Sequence, residues 1–100
     1  MDIHSLVERC QCFQWDKGNS LKNWLEHGVP QGEVEEVFFN GSLLLLEDEE
    51  HSDFEDRLLA LGRTDEGRFL VIAFTVRQNL IRVISARNMN NKERGVYEKV

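Results

Sequence analysis

Cysteine is scarce in this 100-residue chain: Cys10 and Cys12 are its only thiols. With one residue between them they are too close in sequence to close a useful loop, which argues against a disulfide-stapled scaffold and predicts reduced thiols in a cytosolic, cytoplasmic setting. Proline occurs once and glycine seven times, too few for a collagen-like or proline- and glycine-rich disordered chain. No apolar run approaches the roughly 20 residues that span a bilayer, so no membrane association is expected. The opening Met1-Asp2-Ile3-His4 places an acid early and lacks the basic, apolar, small-residue order of a secretory signal. A glycine-rich phosphate loop, a G-x-S-x-G elbow and an H-E-x-x-H helix are all missing. His4, Cys10 and Cys12 are three possible metal ligands, yet Cys-x-Cys lacks the second pair that makes a zinc site. No metal and no other cofactor is expected.

What is present is enough for one core. Hydrophobic residues make up 41% of the chain, and its length suits one domain rather than two. The formal net charge is −6, which by itself disfavours nucleic acid. Its distribution is uneven. Residues 1–56 carry three Lys/Arg against fourteen Asp/Glu, a net of −11, whereas residues 57–100 carry nine against four, a net of +5. Phosphate binding depends on the local patch, not on the total. The same numbers also describe two solvated faces of opposite sign.

Residues 1–12 show no period and read as an irregular lead-in, leaving 13–100 as the folded domain. Phe13-Gln14-Trp15-Asp16 alternates like a short strand. Asn19 or Ser20 caps a helix to about Glu26, with Leu21, Trp24 and Leu25 on its apolar side and Gly28 suited to a left-handed C′ position. A second helix starts at Val29-Pro30 and stops at Asn40-Gly41, with Val34, Val37 and Phe38 as its apolar stripe. Leu43–Leu46 reads as a strand, Glu47–Asp56 as an acidic connector. Three further strands follow, Arg57–Arg63, Arg68–Arg77 and Leu80–Arg87, joined by Asp65-Glu66-Gly67 and by Gln78-Asn79. Phe69–Phe74 is apolar on both faces, as a central strand is. Asn90 caps a last helix, Asn91–Lys99. The expected class is α+β: an antiparallel sheet of about four strands, an N-terminal helical hairpin and a C-terminal helix.

Several short pieces carry more than pattern. Phe13-x-Trp15-Asp16, Asn23, His27-Gly28-Val29, Val37-Phe38, Asp48-x-x-His51-Ser52, Arg57-x-x-Ala60-Leu61-Gly62-Arg63, Gly67-Arg68, Phe74-Thr75-x-Arg77, Ile81-Arg82-x-Ile84-Ser85-Ala86-Arg87 and Lys92-Glu93-Arg94-x-x-Tyr97 occur in one order. Together they resemble the BrnT family of type II toxins from about Phe13 to Glu98. The resemblance implies a RelE-like fold and metal-independent RNA cleavage that inhibits translation. It also implies neutralisation by a BrnA-type antitoxin, with operator DNA reached only through that antitoxin. Three positive charges usual in the family are replaced here, by Asn19, Glu26 and Asn88. That departure keeps a second reading open: a binding module of the same lineage, acting as antitoxin partner and transcriptional co-repressor without cleavage.

RNA hydrolysis without a metal needs a base for the 2′-OH, cations for the phosphate charge and an acid for the leaving oxygen. Arginine forks match phosphate oxygens bidentately. Arg63, Arg82 and Arg87, at or near strand ends, are the expected catalytic cations, and His51 is the candidate for proton transfer. Arg57, Arg77, Lys92, Arg94 and Tyr97 are expected to hold RNA, Tyr97 by stacking a base. The alternatives stay open: strand-end arginines paired with the acidic half, a loop histidine, a core tyrosine. Glu93 reads as a surface partner on its helix, and Trp15 and Trp24 as core.

Overall fold

Gln78 and Asn79 both adopt left-handed backbone, with φ of 52° and 61°. That is the turn geometry whose twist suits two antiparallel strands joined by two residues. The computed structural model describes residues 3–10, 12–15, 27–40, 43–48 and 57–99. In it this turn joins β4 (Phe69–Arg77) to β5 (Leu80–Asn88). The preceding hairpin joins β3 (Leu58–Arg63) to β4. Its loop is closed by Thr64, whose N–H donates to the Arg68 carbonyl at 2.9 Å while its Oγ1 accepts from the Arg68 N–H at 3.0 Å. Gly67 takes φ 89° there, a conformation that suits glycine.

Two more strands complete the sheet. β2 (Leu44–Glu47) pairs antiparallel with β3, and β1 (Cys12–Gln14) pairs parallel with β5. The order is β1-β5-β4-β3-β2. The expected antiparallel meander is thus present, but among the described residues the sheet has five strands and is mixed. Parallel pairing of β1 requires a long connection back across the sheet, which the sequence period does not reveal. β4 occupies the middle, and residues Leu70–Thr75 are all buried, in keeping with an apolar central strand.

Helices cover both faces. α1 (Ile3–Glu8) and α2 (Gln31–Phe39) lie on one face, where Leu6, Val7, Val34 and Val37 pack with Leu58, Ala60, Leu70, Ile72, Phe74, Ile81 and Val83. Residues 3–8, expected to be irregular, are therefore helical and belong to the core. α2 begins after extended Pro30, whose carbonyl accepts from the Glu33 N–H at 3.1 Å. Its approach to β3 is close. A Cβ on Gly62 would lie 2.7 Å from Val37 Cγ1. The expected first helix of the hairpin, Asn19–Glu26, lies outside the described residues, as does most of the acidic connector. Gly28 has the left-handed backbone expected of it, φ 63°.

On the other face α3 (Asn91–Glu98) sets Tyr97 into a second cluster with Leu61, Val71 and Met89. Its start is closed by a capping box. The Asn90 side chain accepts from the Glu93 N–H at 2.8 Å, and the Glu93 carboxylate accepts from the Asn90 N–H at 2.9 Å. Such reciprocal bonds satisfy two N–H groups the helix cannot.

Candidate functional site

One irregularity decides where the arginines point. Successive side chains of a strand alternate between faces, so residues five apart, such as Arg82 and Arg87, belong on opposite faces of a regular strand. In β5 the register steps between two partners: Ala73 faces Ser85, and Phe74 faces Val83. Ile84 is left over as a bulge. The extra residue brings Arg82 (opposite Thr75) and Arg87 (opposite Val71) to the same face. It also lets Val83 and Ala86 both enter the core. By the same register Arg63 and Arg77 share that face, and Arg57, one residue before β3, continues the ladder beside Thr75. Five arginines thus lie on the face that carries α3.

They do not converge on one point. Arg82 and Arg87 sit opposite residues four apart on β4, a separation of roughly 13 Å at the usual strand rise. Arg57 and Arg63 are separated by roughly 20 Å. The set therefore divides between the α3 end of the sheet and the β4–β5 turn end. A single phosphate held by Arg63, Arg77, Arg82 and Arg87 together does not fit this geometry.

At the α3 end two of the cations are already matched. Arg87 makes two parallel bonds to Glu93, both 2.7 Å, and a third to the Asn88 carbonyl at 3.1 Å. The hydrogen bonds from Arg87 hold the Glu93 carboxyl below its ordinary value, with burial opposing them and the Asn90 N–H assisting. The same bonds raise Arg87 further above its already high value. Glu93 is consequently a poor proton acceptor near neutrality and serves as a partner for Arg87 and the helix start. Arg94 lies over the Phe69 ring at 4.2 Å from its centroid and pairs with Glu98 at 3.4 Å. Phe69 is also the cross-strand neighbour of exposed Arg63. Lys92 is exposed on the first turn of α3. Tyr97 differs from the RNA-stacking role given it above. Its ring is buried edge-on against Phe69 at 6.0 Å between centroids, so the core alternative describes it and no face is open to a base.

At the turn end, Arg57 pairs with Asp48 at 3.4 Å. Between Arg57 and Arg82, on the middle strand, stands Thr75. It is only 4% exposed, and its hydroxyl has no hydrogen-bond partner among the described residues. Thr75 was passed over in the sequence because it looks like one more β-branched strand residue. The signal lay in the motif Phe74-Thr75-x-Arg77, a lone hydroxyl within a buried apolar run.

Arg68 was also passed over as a structural residue. Its Nη1 donates to the Gly28 carbonyl and to Glu33, both at 2.8 Å; its Nη2 donates to the His27 carbonyl at 3.0 Å, and its Nε to Asn88 Oδ1 at 2.8 Å. One guanidinium thus ties the His27-Gly28 turn, α2 and the end of β5 together. A second arginine at position 88 would place a like charge against it. With Arg57–Asp48, this pair joins the acidic and basic halves of the chain, so segregation of charge along the sequence is partly cancelled in space.

His51 lies outside the described residues. Among the described residues no group of three or more His, Cys, Asp or Glu is placed to hold a metal ion. Burial, and secondarily Cys12, pushes the Cys10 thiol up, which leaves it a poor nucleophile. A cleft of about 550 Å³ opens between α1, β1 and α2, lined by Val7, Phe13, Phe38, Phe39 and Leu45 among others. It is on the face away from the arginines, so the concavity and the cationic surface are separate features. Among the described residues no helix is long and apolar enough to cross a membrane.

No curated protein matches the chain. A family model does: that of BrnT, the ribonuclease toxin of type II toxin-antitoxin systems, over residues 15–93. The matched stretch takes in α2, β2 to β5, the bulge, all five arginines of the α3 face and the capping box up to Glu93, and leaves α1 and β1 outside. The chain belongs to the BrnT family of ribonuclease toxins.

Proposed function

We propose that this chain cleaves RNA, that cleavage inhibits translation in the cytoplasm, and that a BrnA-type antitoxin holds it in check. The observation that carries this reading is the gathering of Arg57, Arg63, Arg77, Arg82 and Arg87 on one sheet face, the first four by strand register and Arg87 by the β5 bulge. Guanidinium groups keep their charge and match phosphate oxygens in pairs. A spread of roughly 20 Å between the two ends suits successive phosphates of one RNA strand better than a single phosphate. Arg57, Arg77 and Arg82 act at the reacting phosphate; Arg63, Lys92 and Arg94 hold the strand further along. His51 supplies proton transfer, the role its match to the family pattern implies, with an imidazole suited to proton exchange near neutral pH. The antitoxin covers the cationic face, neutralising it and blocking RNA together. Operator DNA is contacted only through the antitoxin.

One observation favours the second reading, a partner and co-repressor that does not cleave. Arg87, expected to be catalytic, is occupied by Glu93. A cell-free assay on a defined transcript separates the two. Wild type is expected to cut it, and Arg82→Ala to cut about 10²–10³-fold more slowly, as for loss of a charge-stabilising donor. Intact RNA under conditions where wild type still binds its antitoxin would leave the co-repressor reading standing alone.

A further inference from the structure

We propose that Thr75 is an RNA-contacting residue: its hydroxyl donates to a phosphodiester oxygen held between Arg57 and Arg82. This rests on the RNA reading of the arginine face given above, and adds to it a ligand that is not an arginine.

The placement comes first. Thr75 is on β4, the middle strand, and Arg82 is its direct partner on β5. Arg57 continues the β3 ladder on its other side, one residue beyond the Leu58–Phe74 pair. Asp48 supports that continuation, since its N–H donates to the Arg57 carbonyl at 2.8 Å beyond the last β2–β3 pair. Neighbouring strands are about 4.8 Å apart, so the two arginines flank Thr75 at about that distance on either side. Arg77 follows two residues along the same face. Three arginines thus share the face and the end of the sheet with one short hydroxyl.

The hydroxyl itself is the second observation. It is buried, with the residue 4% exposed, and it has no partner among the described residues. A buried hydroxyl without a hydrogen bond costs about 1–3 kcal/mol, and folded proteins retain few such groups. Valine has nearly the same shape, suits a strand equally and carries no such cost. The hydroxyl is therefore a burden to the free protein that a ligand would relieve. The guanidinium groups of Arg57 and Arg82 favour an anionic oxygen between them, and Asp48, which pairs with Arg57 at 3.4 Å, is the carboxylate such a ligand displaces. Toward a phosphate held between the two arginines, the hydroxyl acts as a neutral donor from the floor of the site. It fixes the position of the phosphate, while the arginines supply its charge balance.

The test compares Thr75→Val, Thr75→Ser and Arg82→Ala in the full chain, with a fluorescent 2′-O-methyl RNA decamer that cannot be cleaved. Binding is read by anisotropy at several salt concentrations and folding by thermal melts. Thr75→Val is expected to melt at or above the wild-type temperature and to bind about tenfold or more weakly, the loss of a hydrogen bond to a charged acceptor. Its salt slope should match wild type, because no charge is removed. Arg82→Ala should reduce that slope by about 0.7. Thr75→Ser should bind within about threefold of wild type. Wild-type affinity in Thr75→Val would overturn the assignment and leave the arginine face untouched. Weak binding by Thr75→Val that serine does not restore, with a lowered melting temperature, would make Thr75 a packing residue and overturn it too. Failure of wild type to bind the decamer would overturn the RNA reading of the face, and this assignment with it.

Discussion

Removing the Glu93 side chain tests the α3 end of the sheet most directly, because that carboxylate does two separable things. It takes both bonds from Arg87 and accepts the Asn90 N–H at the start of α3. The Arg87 side chain is 42% exposed and that of Glu93 22%, so solvent screens the pair and limits it to about 0.5–1 kcal/mol despite its bidentate geometry. Its half of the capping box adds about 0.5–1 kcal/mol. Glu93→Ala should thus cost about 1–2 kcal/mol and Arg87→Ala about half of that. Each kilocalorie corresponds to about 4–8 °C in Tm for a chain of this size. In a double-mutant cycle, Arg87→Ala should cost almost nothing once Glu93 is alanine. The pH dependence has a definite sign. Glu93 is held below its ordinary value of 4.5 in the fold, chiefly by Arg87. Its contribution is therefore complete above that value and is lost as pH falls through the lower, folded value. Urea melts followed by circular dichroism at pH 7 and pH 3 measure both effects. Additive penalties, or a wild-type advantage that does not shrink at pH 3, would refute the pair as described.

Gly62→Ala should destabilise by about 1–3 kcal/mol, although alanine is normally the better strand residue. The new methyl would sit 2.7 Å from Val37 Cγ1, and Val37 is fully buried, so neither group can move aside; an unchanged urea midpoint would contradict this. Deleting Ile84 should remove the β5 bulge and turn Ser85–Asn88 over, sending Arg87 toward the core and Ala86 out of it. The deletion is expected to abolish the cooperative melt, while Ile84→Ala keeps the register and the RNA affinity. A folded deletion variant that binds RNA like wild type would show that the bulge does not set the face.

The strands and their turns were legible because their causes are local. Asp65-Glu66-Gly67 and Gln78-Asn79 end runs of β-branched and apolar residues, and the strands fall within a residue or two of where those signals put them. The last helix was legible from Asn90, a cap residue whose side chain closes the first turn; the part Glu93 plays in that cap was not. Residues 3–8 were not. Their helix is short, and its apolar residues Leu6 and Val7 have meaning only against a core assembled from later segments. Tyr97 was ambiguous for a related reason: whether an aromatic ring on a helix is covered depends on Phe69, twenty-eight residues earlier.

The basic character of the second half, the α+β class and the resemblance to BrnT toxins were properties of the sequence alone, since each depends on residue type and order. Which arginines share a face was decided by tertiary structure. Arg82 and Arg87 share a face because a bulge adds one residue to β5, and an alternating pattern cannot announce where it will be interrupted. Arg68 and Arg87 are occupied because Glu33 and Glu93 are brought to them, one from across the sheet and one from the helix that follows. The hydroxyl of Thr75 stands out only once its neighbours are known. A side chain's chemistry is written in the sequence; its partners are fixed by distance, and distance belongs to the fold.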